Sequence, residues 1–255
     1  MGEVIVFTSG KGGVGKTTAV ANVGIGLSLL EKRILTIDLD IGLRNLDVGL
    51  GIEQRIQYHL LDVLEQKCAL HQAIIRYKNA PNLYLLPAPC NMLQLSRYKD
   101  QWCRLIAYLR NQYDYILLDC PAGIGPGFDF ATSLVDEAIL VTTGGIASLH
   151  DARKVKDILD YRGICCEHMI MHEETKRHLF ESRRMGIAPM EELLEVTLLG
   201  KIPYDENIPI SQNIGIPYLN LKRKTKEAFI DIAKKIYQKG AVSYELPAVE
   251  SYARS

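Results

Sequence analysis

Gly10 to Thr18 reads GKGGVGKTT and stands between a short apolar run, Val4 to Thr8 (VIVFT), and a longer stretch with apolar residues at helical spacing. Gly10, Gly15, Lys16 and Thr17 fit the phosphate-loop pattern G-x-x-x-x-G-K-[ST]. A strand before and a helix after separate this pattern from a chance match in a glycine-rich loop. Gly10, Gly12, Gly13 and Gly15, with Val14 among them, let the backbone curl round an anion and turn its N–H groups inward. Thr17 and Thr18 open a helix whose positive N-terminus faces the same anion. Lys16 is expected on the β- and γ-phosphates of a nucleoside triphosphate, and the Thr17 hydroxyl on magnesium.

Outward from this loop, short β-branched runs alternate with longer helical stretches. Strands are expected at Val4 to Thr8, Arg33 to Asp38, Leu83 to Leu86, Tyr115 to Asp119, Ala138 to Thr142, His168 to Met171 and Thr197 to Ile202. Helices are expected at Thr17 to Leu30, Leu60 to Glu65, Leu70 to Arg76, Gln94 to Asn111, Leu149 to Tyr161 and Lys222 to Lys239. Near-continuous apolar strands separated by helices indicate an α/β fold, a mostly parallel sheet with helices on both faces. One such domain over residues 1–240 accounts for the pattern, with 241–255 as a loosely ordered tail.

In such sheets ligands bind beyond the carboxyl ends of the strands, where Asp38, Asp40 and Asp119 stand. YILLD ends in Asp119, a carboxylate suited to holding magnesium through water. CPAG follows, and Gly123 is a candidate N–H donor near the γ-phosphate. In DLDIGLRNLD, Asp40 is the candidate for orienting the attacking water, and Asp38 for supporting magnesium through its water shell. The same stretch suits a helix-capping loop with Asn45 or Asp47 as caps. Lys11 adds charge where Lys16 already serves. It either folds back on its own nucleotide, stays solvated, or reaches a second subunit's phosphates like an arginine finger supplied in trans.

Lys plus Arg is 30 and Asp plus Glu is 30, so net charge gives no case for a nucleic-acid partner. The 6 cysteines form no C-x-x-C pair and no zinc spacing, as expected of thiols in a reducing cytoplasm. The N-terminus runs directly into a strand, without the pattern of a signal peptide. No apolar run reaches the ~18 residues needed to span a bilayer.

KGGVGKTT, with Lys11 beside Gly10, resembles the deviant Walker A ATPases, the MinD and ParA family. IDLDIGLRNLDVGLGIEQRIQYHLLDVLE (Ile37 to Glu65), NLYLLPA (Asn82 to Ala88) and YDYILLDCPAGI (Tyr113 to Ile124) are similar to its septum-site, MinD branch, and the resemblance covers most of residues 1–240. It implies a P-loop ATPase with bound ATP and Mg2+ that forms an ATP-dependent sandwich dimer. Lys11 would touch the partner's nucleotide, Asp40 would be the catalytic aspartate, and Lys16, Thr17 and Asp119 would hold phosphates and magnesium. Hydrolysis would be slow and partner-stimulated. The dimer would work in the cytoplasm and on the inner face of the cell membrane, recruiting a MinC-like division inhibitor and answering to a topological regulator. Other positioning ATPases, such as a flagellar-number regulator or a ParA-like segregation factor, share the loop, and a degenerate nucleotide-binding module with little hydrolysis is a further alternative.

Three stretches depart from the family. His172 stands where a strand-end asparagine commonly meets adenine. TTGG (Thr142 to Gly145) replaces a TTPE-like sequence. The tail ELPAVESYARS shows no amphipathic membrane-targeting helix. Lys222 to Lys239 is amphipathic through Phe229, Ile232, Ala233 and Ile236, and reads as a final core helix.

Overall fold

In the first strand Val4 and Val6 point to one side and Ile5 and Phe7 to the other, and all four are fully buried. A strand buried on both faces needs a layer of helices on each side, and the computed structural model supplies both. It describes residues 1–40, 45–88, 97–173, 185–218 and 221–243. Along the chain these form β1 (Glu3–Thr8), α1 (Lys16–Leu29), β2 (Ile34–Asp38), α2 (Asn45–Gly49), α3 (Leu60–Leu64), α4 (Leu70–Ala73), β3 (Ile75–Arg76) and β4 (Leu83–Leu86). There follow α5 (Lys99–Leu109), β5 (Tyr115–Asp119), α6 (Pro126–Ala131), β6 (Glu137–Thr143), α7 (Ile146–Tyr161), β7 (His168–His172), α8 (Ile187–Leu194), β8 (Thr197–Ile202), α9 (Asn207–Asn213) and α10 (Arg223–Ser243).

The strands make one sheet in the order β3-β4-β2-β5-β1-β6-β7-β8. All pairs are parallel except β3 with β4, which is antiparallel at the edge. One core lies between the sheet and α3, α5, α6, α7 and α8, where Trp102 packs on Phe130 with ring centroids 4.9 Å apart. The other lies under α1 and α10.

The expected parallel α/β architecture is present, with local differences. Leu70 to Arg76 is not one helix: α4 stops at Ala73, and the β-branched Ile75 turns the chain into β3, where it pairs with Leu85. The expected helix from Gln94 begins at Lys99, and residues 94–96 lie outside the described residues. The helix expected from Leu149 starts at Ile146. The short helices α2, α6, α8 and α9 escape a periodicity search because each offers too few turns to show one. Positions 41–44, the charged segment 174–184 and the tail 244–255 lie outside the described residues.

The helix α1 carries no single apolar stripe. Every residue from Thr18 to Ser28 is buried, because α1 is enclosed by the sheet on one side and by α10 on the other. Glycines permit both approaches. A Cβ at Gly24 would stand 3.1 Å from Leu83 Cδ1 in the sheet, and one at Gly26 would stand 2.8 Å from the Ala233 Cβ of α10. The apolar face of α10, with Phe229, Ile232, Ala233 and Ile236 at most 2% exposed, is spent on this contact and on β8. That agrees with the reading of α10 as a core helix. Among the described residues no helix is long and apolar enough to cross a membrane.

Because backbone and Ala233 leave no room at Gly26, Gly26→Leu is expected to destabilise the fold by about 1–3 kcal/mol through overpacking. Urea unfolding measures this as a lower midpoint. An unchanged midpoint would show that α1 and α10 are not in close contact.

Candidate nucleotide-binding site

The order of strands brings the functional side chains together. β1 lies between β5 and β6, and its carboxyl end is where the connections part to opposite sides of the sheet. Phe7 of β1 and Asp38 of β2 both lie opposite Asp119 of β5 in register. The phosphate loop leaves β1 at this point and delivers Lys16 as the first residue of α1, one position earlier than expected. Gly13 (φ 78°) and Gly15 (φ 92°) take left-handed backbone conformations that favour glycine. Val14 is 6% exposed and anchors the loop in the core under α1, while Lys11, Gly12 and Gly13 are exposed at its tip. Gly10 has a different reason to be glycine: a Cβ there would run into the main chain of Asp151 in α7.

Charge is concentrated under the loop. Lys16 Nζ donates to Asp119 Oδ1 at 2.7 Å and lies 3.9 Å from Asp40 Oδ2. Burial works against the Lys16 ammonium, but Asp119 and then Asp40 outweigh it and hold its pKa above the ordinary lysine value. Asp38 is 1% exposed. Its carboxyl is pushed well above the usual range by burial and then by Asp119, opposed by the Asp40 N–H. That N–H donates to Asp38 Oδ1 at 2.9 Å, and the Leu46 N–H to Oδ2 at 3.4 Å. Asp38 thus ties both ends of the segment that leads into α2. Burial raises the Asp40 pKa as well, with Lys16 opposing.

The fit to a divalent cation rests on Asp119 Oδ2, a buried carboxylate oxygen with no hydrogen-bond partner. A buried acceptor without a partner is costly. Hard oxygen donors with retained waters suit magnesium. Asp119 and the Thr17 hydroxyl would hold the ion, with Asp38 behind them, and the ion would neutralise charge on the phosphates.

A cavity of about 520 Å³ opens beside the phosphate loop, and Asp38 and Asp119 do not line it. Gly12, Gly13, Gly15, Lys16, Thr17, Thr18 and Asp40 line it. A cavity of about 580 Å³ lies at the opposite edge of the strands, around Lys32, Arg33 and Tyr113, and has no part in the phosphate loop. Two expected contacts are placed otherwise. Gly123 does not offer a free N–H, because that group donates to Ser9 O at 2.9 Å and ties the loop after β5 to the start of the phosphate loop. His172 does not line the cavity. It lies behind the loop, where a Cβ at Gly15 would meet its ring at 2.8 Å, and its Nε2 is buried without a partner. The wall that sequence reading missed comes from Gln212 and Asn213 of α9 and from Val48 and Gly49 of α2. No local pattern marks α9, which lies about two hundred residues away in sequence and belongs to the site only through the fold.

Burial lowers the His172 pKa from 6.5 to about 4. Below pH 6.5 the unfolded chain binds a proton that the folded one refuses, so stability falls as pH drops from 6.5 towards 4. His172→Asn should lose this component: between pH 7 and pH 5 its unfolding free energy should decline by about 2 kcal/mol less than that of the unaltered chain. Parallel declines in urea titrations would show that His172 is not held neutral.

A family described as AAA domain matches residues 2–157. A putative septum site-determining protein MinD from Guillardia theta is 45% identical over 217 residues, covering 85% of this chain and 81% of that protein. The solved MinC:MinD cell division protein complex of Aquifex aeolicus superposes with a TM-score of 0.82 at 35% identity, covering 96% of this chain and 98% of that one. The septum site-determining protein MinD complexed with Mg-ADP from Pyrococcus horikoshii superposes at 0.83 with 30% identity, covering 96% and 100%. With these relatives, and with a phosphate loop whose Lys16 is paired with the buried Asp119, the chain belongs to the MinD family of septum site-determining ATPases.

Proposed function

We propose that this ATPase is a nucleotide-controlled switch in division-site placement. It binds ATP with magnesium in the 520 Å³ cavity and pairs with a second copy across that face. The observation that carries this reading is the pair of lysines in one loop. Lys16 is buried and committed to Asp119, whereas Lys11 is exposed at the tip and forms no ion pair among the described residues. A cation so placed suits phosphates outside its own cavity, those of a facing subunit, and there it adds transition-state charge stabilisation as an arginine finger does.

In hydrolysis a water oxygen forms a bond to the γ-phosphorus as the bond to the bridging oxygen breaks, and ADP leaves with that electron pair. Asp40 orients the water. Its carboxylate stands at the cavity wall within 3.9 Å of Lys16, and its raised pKa brings it nearer to accepting the water's proton. Gly12, Gly13 and Gly15 cradle phosphate through the main chain, and Lys16, with Thr17 and Thr18, holds it. Turnover is slow and set by partner proteins, so bound ATP reports as a dimer. The Aquifex MinC:MinD complex supports a MinC-like division inhibitor as one partner, with a topological regulator as another. The dimer works at the inner face of the cell membrane, as the family resemblance implies.

Light scattering tests the switch. With magnesium and a nonhydrolysable ATP analogue the mass should double, and with ADP it should stay that of one chain. Lys11→Ala should bind the analogue yet remain a single chain; an analogue-dependent dimer of that variant would refute the role of Lys11 in trans. Asp40→Ala should keep ATP binding and lose turnover by roughly a hundredfold or more. Unchanged phosphate release would remove Asp40 from the mechanism.

A further inference from the structure

Thr18 is 6% exposed and lines the nucleotide cavity at the start of α1. The Gln212 amide of α9 donates to Thr18 Oγ1 through Nε2 at 2.8 Å. A threonine hydroxyl has one hydrogen to give and two lone pairs with which to accept. Once it accepts from an amide, its own hydrogen is left for another acceptor, and the open side of Thr18 is the cavity. We infer that Gln212 is a positioning residue for phosphate recognition: by donating to Thr18 it fixes that hydroxyl as a donor towards bound phosphate. The inference rests on the assignment of nucleotide to this cavity.

The helix that carries Gln212 is held at both ends. Asp205, 3% exposed, accepts the Asn207 N–H at 3.0 Å through Oδ1 and the Lys222 N–H at 2.7 Å through Oδ2. Beyond the other end, Gly215 (φ 71°) lies against Gly51 (φ 63°) so closely that a Cβ on Gly51 would stand 2.7 Å from the Gly215 Cα. Only glycine fits either side of that contact. The amide of Gln212 is therefore presented to Thr18 by a braced element, and preorganised donors are the ones that contribute most to anion binding. Successive hydrogen bonds from Gln212 to Thr18 to phosphate polarise one another. The same chain links phosphate occupancy to α9 and, through Gly215 and Gly51, to the loop that follows α2.

A double-mutant cycle on equilibrium MgATP binding, followed by calorimetry, tests this. Gln212→Met keeps the shape and removes the donor, and Thr18→Val removes the hydroxyl. Gln212→Met is expected to weaken binding about 3- to 10-fold in the unaltered chain and to have no effect beside Val at position 18. Gln212→Ala should behave like Gln212→Met in both backgrounds, which keeps the test usable should either variant fold poorly. Equal losses from Gln212→Met with and without the Thr18 hydroxyl would overturn the inference, because a merely structural role gives additive effects. Full MgATP affinity in Gln212→Met would overturn it as well, while leaving the nucleotide assignment intact. Failure of the unaltered chain to bind MgATP would overturn that assignment and this inference with it.

Discussion

Two strands end side by side in buried carboxylates, Asp38 and Asp119, and one lysine answers them. This is the constraint around which the site is arranged. Removing one partner of a buried ion pair costs on the order of 3–5 kcal/mol, because it leaves the other charge in a medium that cannot solvate it. Lys16 can meet Asp119 at 2.7 Å only if α1 starts immediately after the loop and β1 lies next to β5. The left-handed turns at Gly13 and Gly15 and the anchoring of Val14 follow from that requirement.

The pair is also incomplete. One lysine cannot balance Asp38, Asp119 and nearby Asp40, and burial first, with the charge of Asp119 adding to it, raises the pKa values of Asp38 and Asp40. A divalent cation would supply what is missing, and the unpartnered Asp119 Oδ2 is where it would be most effective. The site is thus stable enough to fold around one internal cation and poised to take a second. That is how a fold makes nucleotide occupancy matter: charge balance is completed by the ligand. The surrounding elements then register the change, since Asp38 holds the segment into α2, and Gln212 holds Thr18.

Much of this was legible in the sequence because it is local. The phosphate loop, the strand-end aspartates and the β-branched runs each advertise themselves within ten residues. What stayed hidden depends on distant chain. Gly10 fits the phosphate-loop pattern, yet its lack of a side chain is also required by Asp151 in α7. Gly123 has its N–H taken by Ser9. The burial of α1 on all sides could not be read from α1, since α10 at the far end of the chain covers it. His172, expected beside the base, is instead packed behind Gly15 at the end of β7. Gln212 shows no motif at all.

Asp119 balances Lys16 and has a second, unpartnered oxygen that would meet a cation. The direct measurement is ATP affinity with and without magnesium, by calorimetry, for the unaltered chain and for Asp119→Asn. Chelating magnesium is expected to weaken ATP binding at least tenfold in the unaltered chain, about 1.4 kcal/mol, and to leave Asp119→Asn nearly unaffected. An equal magnesium dependence in the two proteins would contradict it.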